Sequence, residues 1–146
     1  MPKKYENFGV RLLYPDNWQV EEHLNESPQG VTIQSPTGGF WTLHAYSASA
    51  DQEELTSEVL QTMRAEYQSL EVEPINEQIG SHAAAGYDMR FYCLDMLVTS
   101  QVRTLTAESA TYLLLYQAED RDFEKLAQVF AAITTSLLTD DSSLPG

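Results

Sequence analysis

The sequence predicts an α+β fold: a central antiparallel sheet of about six to seven strands with helices packed on its faces. Three observations predict it. Short alternating or aromatic-rich segments are separated by proline and glycine turns, as in an antiparallel sheet with hairpin links. The apolar spacing then changes from two to three-and-four in two well-separated places, which gives two helices. Hydrophobic residues make up 42% and charged residues 21% of the 146, the balance of a globular chain with one core. The order strands, helix, strands, helix lets the two helices lie on opposite sheet faces, in three layers.

The first strand is read over residues 8–14, and Pro15 ends it because proline donates no ladder hydrogen bond. Asp16-Asn17 suits a turn, and a strand restarts over residues 18–23 with Trp18 and Val20 on one face. Asn25 to Gly30 reads as a loop, and Val31 to Gln34 as a short strand. Ser35-Pro36-Thr37-Gly38-Gly39 is a hairpin signal leading into the aromatic strand Phe40 to Ser47.

Asp51-Gln52-Glu53-Glu54 opens a helix, with Asp51 as N-cap and acids at the positive end of the helix dipole. Leu55, Val59, Met63 and Tyr67 recur at spacing four beside Leu60, an apolar stripe on a helix of about 18 residues. Pro74 marks the extended segment 70–79 as an edge strand. Gly80 to Ala85 reads as a small-residue connection. Residues 86–117 then read as a three-strand meander whose last strand, from Thr111, is apolar on both faces and needs cover on each side. The final helix begins near Asp120 or Asp122 and carries Phe123, Leu126, Ala127, Phe130, Ile133, Thr134 and Leu137 at helical spacing. Residues 1–139 therefore form a single domain, and 140–146 reads as a disordered polar tail.

Composition narrows the function. There are 22 Asp and Glu against 8 Lys and Arg, a formal net charge of -14. Such a surface repels phosphate backbones and anionic membranes, so neither nucleic acid nor membrane is the expected partner. It suits solubility, or a basic partner. One cysteine, Cys93, excludes an internal disulfide. No run of about 20 apolar residues spans a membrane. The segment Met1-Pro2-Lys3-Lys4-Tyr5-Glu6-Asn7 lacks the apolar stretch of a signal peptide, so the expected location is cytoplasmic.

Three features carry a resemblance. They are Phe8-Gly9…Tyr14-Pro15-x-x-Trp18, the helix after a fourth strand followed by a meander opening at Gly86, and the ending Ile133-Thr134-Thr135-Ser136-Leu137. Together they resemble the Mog1/PsbP-like superfamily, including bacterial DUF1795 proteins, over nearly the whole chain. The resemblance implies a central antiparallel sheet with packed helices, and binding or assembly roles. Members include a photosystem II extrinsic subunit, a nuclear-transport factor that binds the Ran GTPase, and bacterial adaptors for secreted effectors. It brings no catalytic motif, so it assigns no site residues. Against the photosystem type, the chain is expected to lack a leader or transit segment, and its short loops leave no room for the longer insertions of those members.

The residues themselves offer little chemistry. His23, His44 and His82 fall on different predicted elements, none at metal-ligand spacing, so no metal is expected. Residues 35–39 lack the Lys-Ser/Thr ending and following helix of a phosphate loop, and no other cofactor motif occurs. The acid pairs Glu21-Glu22, Glu53-Glu54 and Asp140-Asp141 are sequence neighbours that do not converge on a cleft. Cys93 alternates with Met89 and Phe91 and reads as a buried apolar group without an activating base.

Four residues remain as candidate ligand or partner contacts: Trp18, Trp41, His44 and Tyr46. The tryptophans either complete the core or, if exposed, mark an interface. His44 and Tyr46 either hydrogen-bond within the sheet or line a small pocket. The functional expectation is a non-enzymatic binding or assembly module for an unidentified protein partner of basic or apolar character, acting as a monomer or weak dimer without a cofactor. Two alternatives stand beside it. One is a cytoplasmic adaptor or chaperone for a secreted effector; the other is a small-ligand binder or minor enzyme with a pocket near His44 and Tyr46.

Overall fold

The computed structural model describes residues 1–139; the expected tail at 140–146 lies outside the described residues. The chain runs β1 (Pro2–Asn7), β2 (Val10–Pro15), β3 (Gln19–His23), β4 (Gln29–Gln34), β5 (Phe40–Tyr46), α1 (Gln52–Glu66), β6 (Glu71–Ile79), β7 (His82–Cys93), β8 (Met96–Thr106), β9 (Thr111–Glu119) and α2 (Asp120–Leu138). Seven strands form one sheet in the order β3-β4-β5-β9-β8-β7-β6, antiparallel throughout. The remaining pair, β1 and β2, forms a separate hairpin.

Local chemistry explains the joints. The Trp18 amide donates to the Pro15 carbonyl at 3.1 Å and closes the turn between β2 and β3. The Ser35 hydroxyl accepts from the Gly39 amide at 3.0 Å, and Gly38 takes a φ of 99, a backbone that favours glycine. Asp51 caps α1 by accepting from the Glu54 amide. Pro74 lies on the sheet edge, where a missing N–H costs no ladder bond.

Register defines two faces, because directly paired residues share a side. One face carries Trp41, Leu114 and Tyr116 and packs against α2, whose Thr134 bonds both aromatic side chains. The opposite face carries Phe91 and Thr104 and packs against α1, through Tyr67 on Phe91 and Gln52 on Thr104. The helices thus lie on opposite faces, and the β1–β2 hairpin extends the α2 layer. The main core lies between the sheet and that layer, around Leu12, Ile33, Trp41, Leu43, Leu114 and Phe130. Each such side chain contributes roughly 1.5–3 kcal/mol of apolar burial.

Four local readings differ from the structure. Pro2–Asn7 is a strand, although Tyr5 is its single buried residue. It forms because every residue pairs with β2, and because the Tyr5 hydroxyl donates to Glu22 at 2.7 Å. Residues 82–85 are strand rather than connection: Ala83, Ala84 and Ala85 pair with Gln78, Glu77 and Asn76 of β6. α1 has 15 residues, and its predicted stripe is half-covered, with Thr56 its buried side chain. Cys93 is half-exposed, because the hairpin of β7 and β8 carries it past the end of α1.

Candidate functional site

The four sequence candidates separate into two groups. Trp18 and Trp41 are core residues. Trp18 packs edge-on against Phe130, with ring centroids 5.9 Å apart. Trp41 is fully buried and donates its indole N–H to Thr134 at 3.0 Å. His44 and Tyr46 stay half-exposed on the opposite face, where β3, β4 and β5 extend beyond α1.

There the fold brings together two histidines that sequence spacing kept apart. His23 and His44 both flank Gly30 in register, and their rings stack at 6.4 Å. Glycine is required between them, since a Cβ at position 30 would meet both the Leu43 carbonyl oxygen and His44 Cδ2 at 2.7 Å. His23 Nε2 bonds the Thr32 hydroxyl at 3.0 Å, and Thr32 bonds Thr42 at 2.9 Å. Burial, then the neighbouring His23, holds the His44 imidazole below its ordinary value against the opposing pull of Glu26. His44 is thereby biased toward the neutral form. Among the described residues no three His, Cys, Asp or Glu side chains converge to hold a metal ion.

Sequence reasoning missed a buried cation. Arg103 is 3% exposed on β8 and donates to Glu77 at 2.7 Å and Asp88 at 2.6 Å. Its other donors reach the Tyr87 and Val102 carbonyls. Burial works against the charge, but the bonds from Glu77 and Asp88 outweigh it and raise the Arg103 pKa. Its partner across the ladder is Gly86, where a Cβ would collide with the Val102 carbonyl. The guanidinium is engaged by two acids and two backbone carbonyls, so it offers no free charge to an anionic ligand. Alternating charge on β7 and β8 (Asp88, Arg90, Arg103) was the available signal.

Two of the open apolar surfaces among the described residues bear on binding. The first is a groove of about 520 Å3 between the β1–β2 hairpin and α2, floored by Leu13, Tyr14, Val129, Ala132 and Ile133. Neither His44 nor Tyr46 lines it. The second is convex. Tyr92, Leu94 and Met96 are 66%, 90% and 52% exposed at the tip of the β7–β8 hairpin. They account for all the exposed large hydrophobics among the described residues except Met1. No helix among the described residues is long and apolar enough to cross a membrane.

Comparison with known proteins decides the fold. No family model and no curated protein matches the chain. Solved structures do. Cyanobacterial PsbP (CyanoP) from Synechocystis is 12% identical, with 92% of this chain and 90% of that chain covered and a TM-score of 0.66. The fold is Mog1/PsbP-like. The same Mog1/PsbP-like architecture relates the chain to PA94 of Pseudomonas aeruginosa, a protein of unknown function, at 12% identity, 95% and 97% coverage and a TM-score of 0.55. It also relates it to LpqN of Mycobacterium tuberculosis, involved in cell envelope biogenesis, at 15% identity, 91% and 87% coverage and a TM-score of 0.53. Identities this low establish the shared fold, and the neighbours' roles stay with the neighbours.

Proposed function

We propose that this chain is a non-enzymatic module that binds a partner protein. The observation that carries the reading is the apolar hairpin tip, where Tyr92, Leu94 and Met96 stand in solvent within five residues. Isolated exposed hydrophobics are ordinary, whereas one hairpin tip that is apolar at its apex and on both faces, with Tyr92 on one and Met96 on the other, is a convex knob of the kind interfaces use. The net charge of -14 keeps copies apart and leaves the tip for another molecule.

The test is affinity capture from a lysate of the source organism, followed by mass spectrometry. One stoichiometric protein that survives a wash at physiological ionic strength supports the module. Turnover of a defined substrate by the purified chain, abolished by a point mutation that leaves it folded, overturns it.

The groove between β2 and α2 favours a second reading, an adaptor that holds an apolar segment of a client protein. Saturable binding of an amphipathic helical peptide, lost in Ala132→Glu, supports it; equal binding by wild type and variant removes it.

A further inference from the structure

The inference rests on the binding-module reading and identifies its docking element and the chemistry of its partner. The β7–β8 turn is two residues long: Cys93 pairs with Met96, and Leu94 and Asp95 lie between them. Both take left-handed backbone, with φ of 51 and 66. Such turns favour Asn-Gly or Asp-Gly, because a left-handed backbone brings the Cβ of an L-residue against its own carbonyl. Leucine is a poor choice there. It also packs against nothing, being 90% exposed. Leu94 therefore costs backbone strain and gains no burial in return. Strain of this kind at an exposed tip points to a contact made outside the chain.

The tip is preformed. Phe91 at its base stacks on Tyr67 with ring centroids 4.1 Å apart, which ties the hairpin stem to the end of α1. A rigid convex element orders little on docking, so little of the binding energy is lost to entropy.

Charge selects the partner. Asp95 stands at the apex; at the base Glu66 adjoins Tyr67, with Arg64 in the same last turn of α1. Arg90, the base on the β7 stem, is engaged with Asp120 at 3.4 Å. The two bases near the stem leave Asp95 alone at the apex, and the chain's net charge of -14 disfavours a second copy and an anionic bilayer. We propose that the tip, through Leu94 flanked by Tyr92 and Met96, docks into a concave apolar pocket on another protein whose rim carries lysine or arginine.

The test compares the wild-type chain with Leu94→Met and Leu94→Asn in lysate capture, and a separate chain carries a photo-reactive leucine analogue at position 94. Wild type and Leu94→Met are expected to capture the same protein. Leu94→Asn should reduce capture by about tenfold or more. The complex should weaken as salt rises toward ~0.5 M. The crosslink should map to an apolar pocket flanked by basic residues. Leu94→Asn should melt at the wild-type temperature or about 2–4 °C higher, because asparagine tolerates the left-handed backbone; loss of capture then cannot come from unfolding.

Capture by Leu94→Asn equal to wild type overturns the tip and leaves the module reading standing. No protein captured by wild type overturns both. Self-association, or binding to neutral phosphatidylcholine vesicles, that Leu94→Asn abolishes overturns the protein-pocket partner in favour of a second copy or a lipid surface.

Discussion

The indole N–H of Trp41 donates to the Thr134 hydroxyl at 3.0 Å, joining residues 93 positions apart across the core. The Tyr116 hydroxyl meets the same oxygen at 2.7 Å, and Thr134 in turn donates to the Phe130 carbonyl at 3.1 Å. One buried hydroxyl thus satisfies two aromatic polar groups and fixes α2 against β5 and β9. Burial pushes the Tyr116 phenol up to about 12, so it stays protonated and keeps its place in this network at neutral pH.

Thr134→Val keeps the shape and removes the shared partner. It leaves the Trp41 N–H and the Tyr116 hydroxyl unpaired in the core, and should cost about 2–4 kcal/mol in urea unfolding. Thr134→Ser keeps the oxygen and should cost about 1 kcal/mol. Equal losses for the two variants would show that packing, not the hydroxyl, holds the helix.

Arg103→Met should destabilise by about 2–3 kcal/mol. Glu77 and Asp88 are each partly exposed and regain water, which keeps the cost below that of two fully buried orphans. Arg103→Lys should recover part of the loss, since an ammonium cannot reproduce the fork to both carboxylates. Denaturant midpoints of the two variants check the order.

His44 gives stability a defined pH dependence. Its folded pKa lies below the ordinary 6.5, so the unfolded chain takes up the proton more readily. The stability is present above pH 6.5 and is lost as pH falls through the folded pKa. Below that pKa both states are protonated and the loss levels off. In the difference between wild type and His44→Asn, this decline should appear on the acid side. A flat difference curve would remove the assignment.

Gly86→Ala should be the most damaging single-atom change in the sheet, because its Cβ would meet the backbone carbonyl of Val102 and neither strand can yield. A cost of about 3 kcal/mol or more is expected. Gly38→Ala meets open space but a φ of 99, so only backbone strain of about 1–2 kcal/mol is expected there. Thermal unfolding of both distinguishes collision from strain.

Much of the fold was legible because its signals are local. Asp51 caps α1, Ser35 to Gly39 closes a hairpin, and the three-and-four spacing from Phe123 to Leu137 marks α2. Each involves residues within a few positions, where backbone sterics and nearby hydrogen bonds decide. β1 was not legible. Its one buried residue, Tyr5, makes no period, and the strand exists through its pairing with β2. Alanines 83–85 read as a link for the same reason: alanine carries no strand signal, and only β6 beside them makes a ladder.

By itself the sequence determined the kind of object: an acidic α+β domain whose strands, turns and helices follow from side-chain period and turn chemistry. The tertiary structure decided which distant residues meet and which stay wet. It buried Trp18 and Trp41, stacked His23 on His44 across Gly30, enclosed Arg103 between Glu77 and Asp88, and left Tyr92, Leu94 and Met96 in solvent. Period gives the face on which a side chain lies, but burial depends on what packs against that face, and α1 stops short of the hairpin tip while α2 and the β1–β2 hairpin cover the tryptophans.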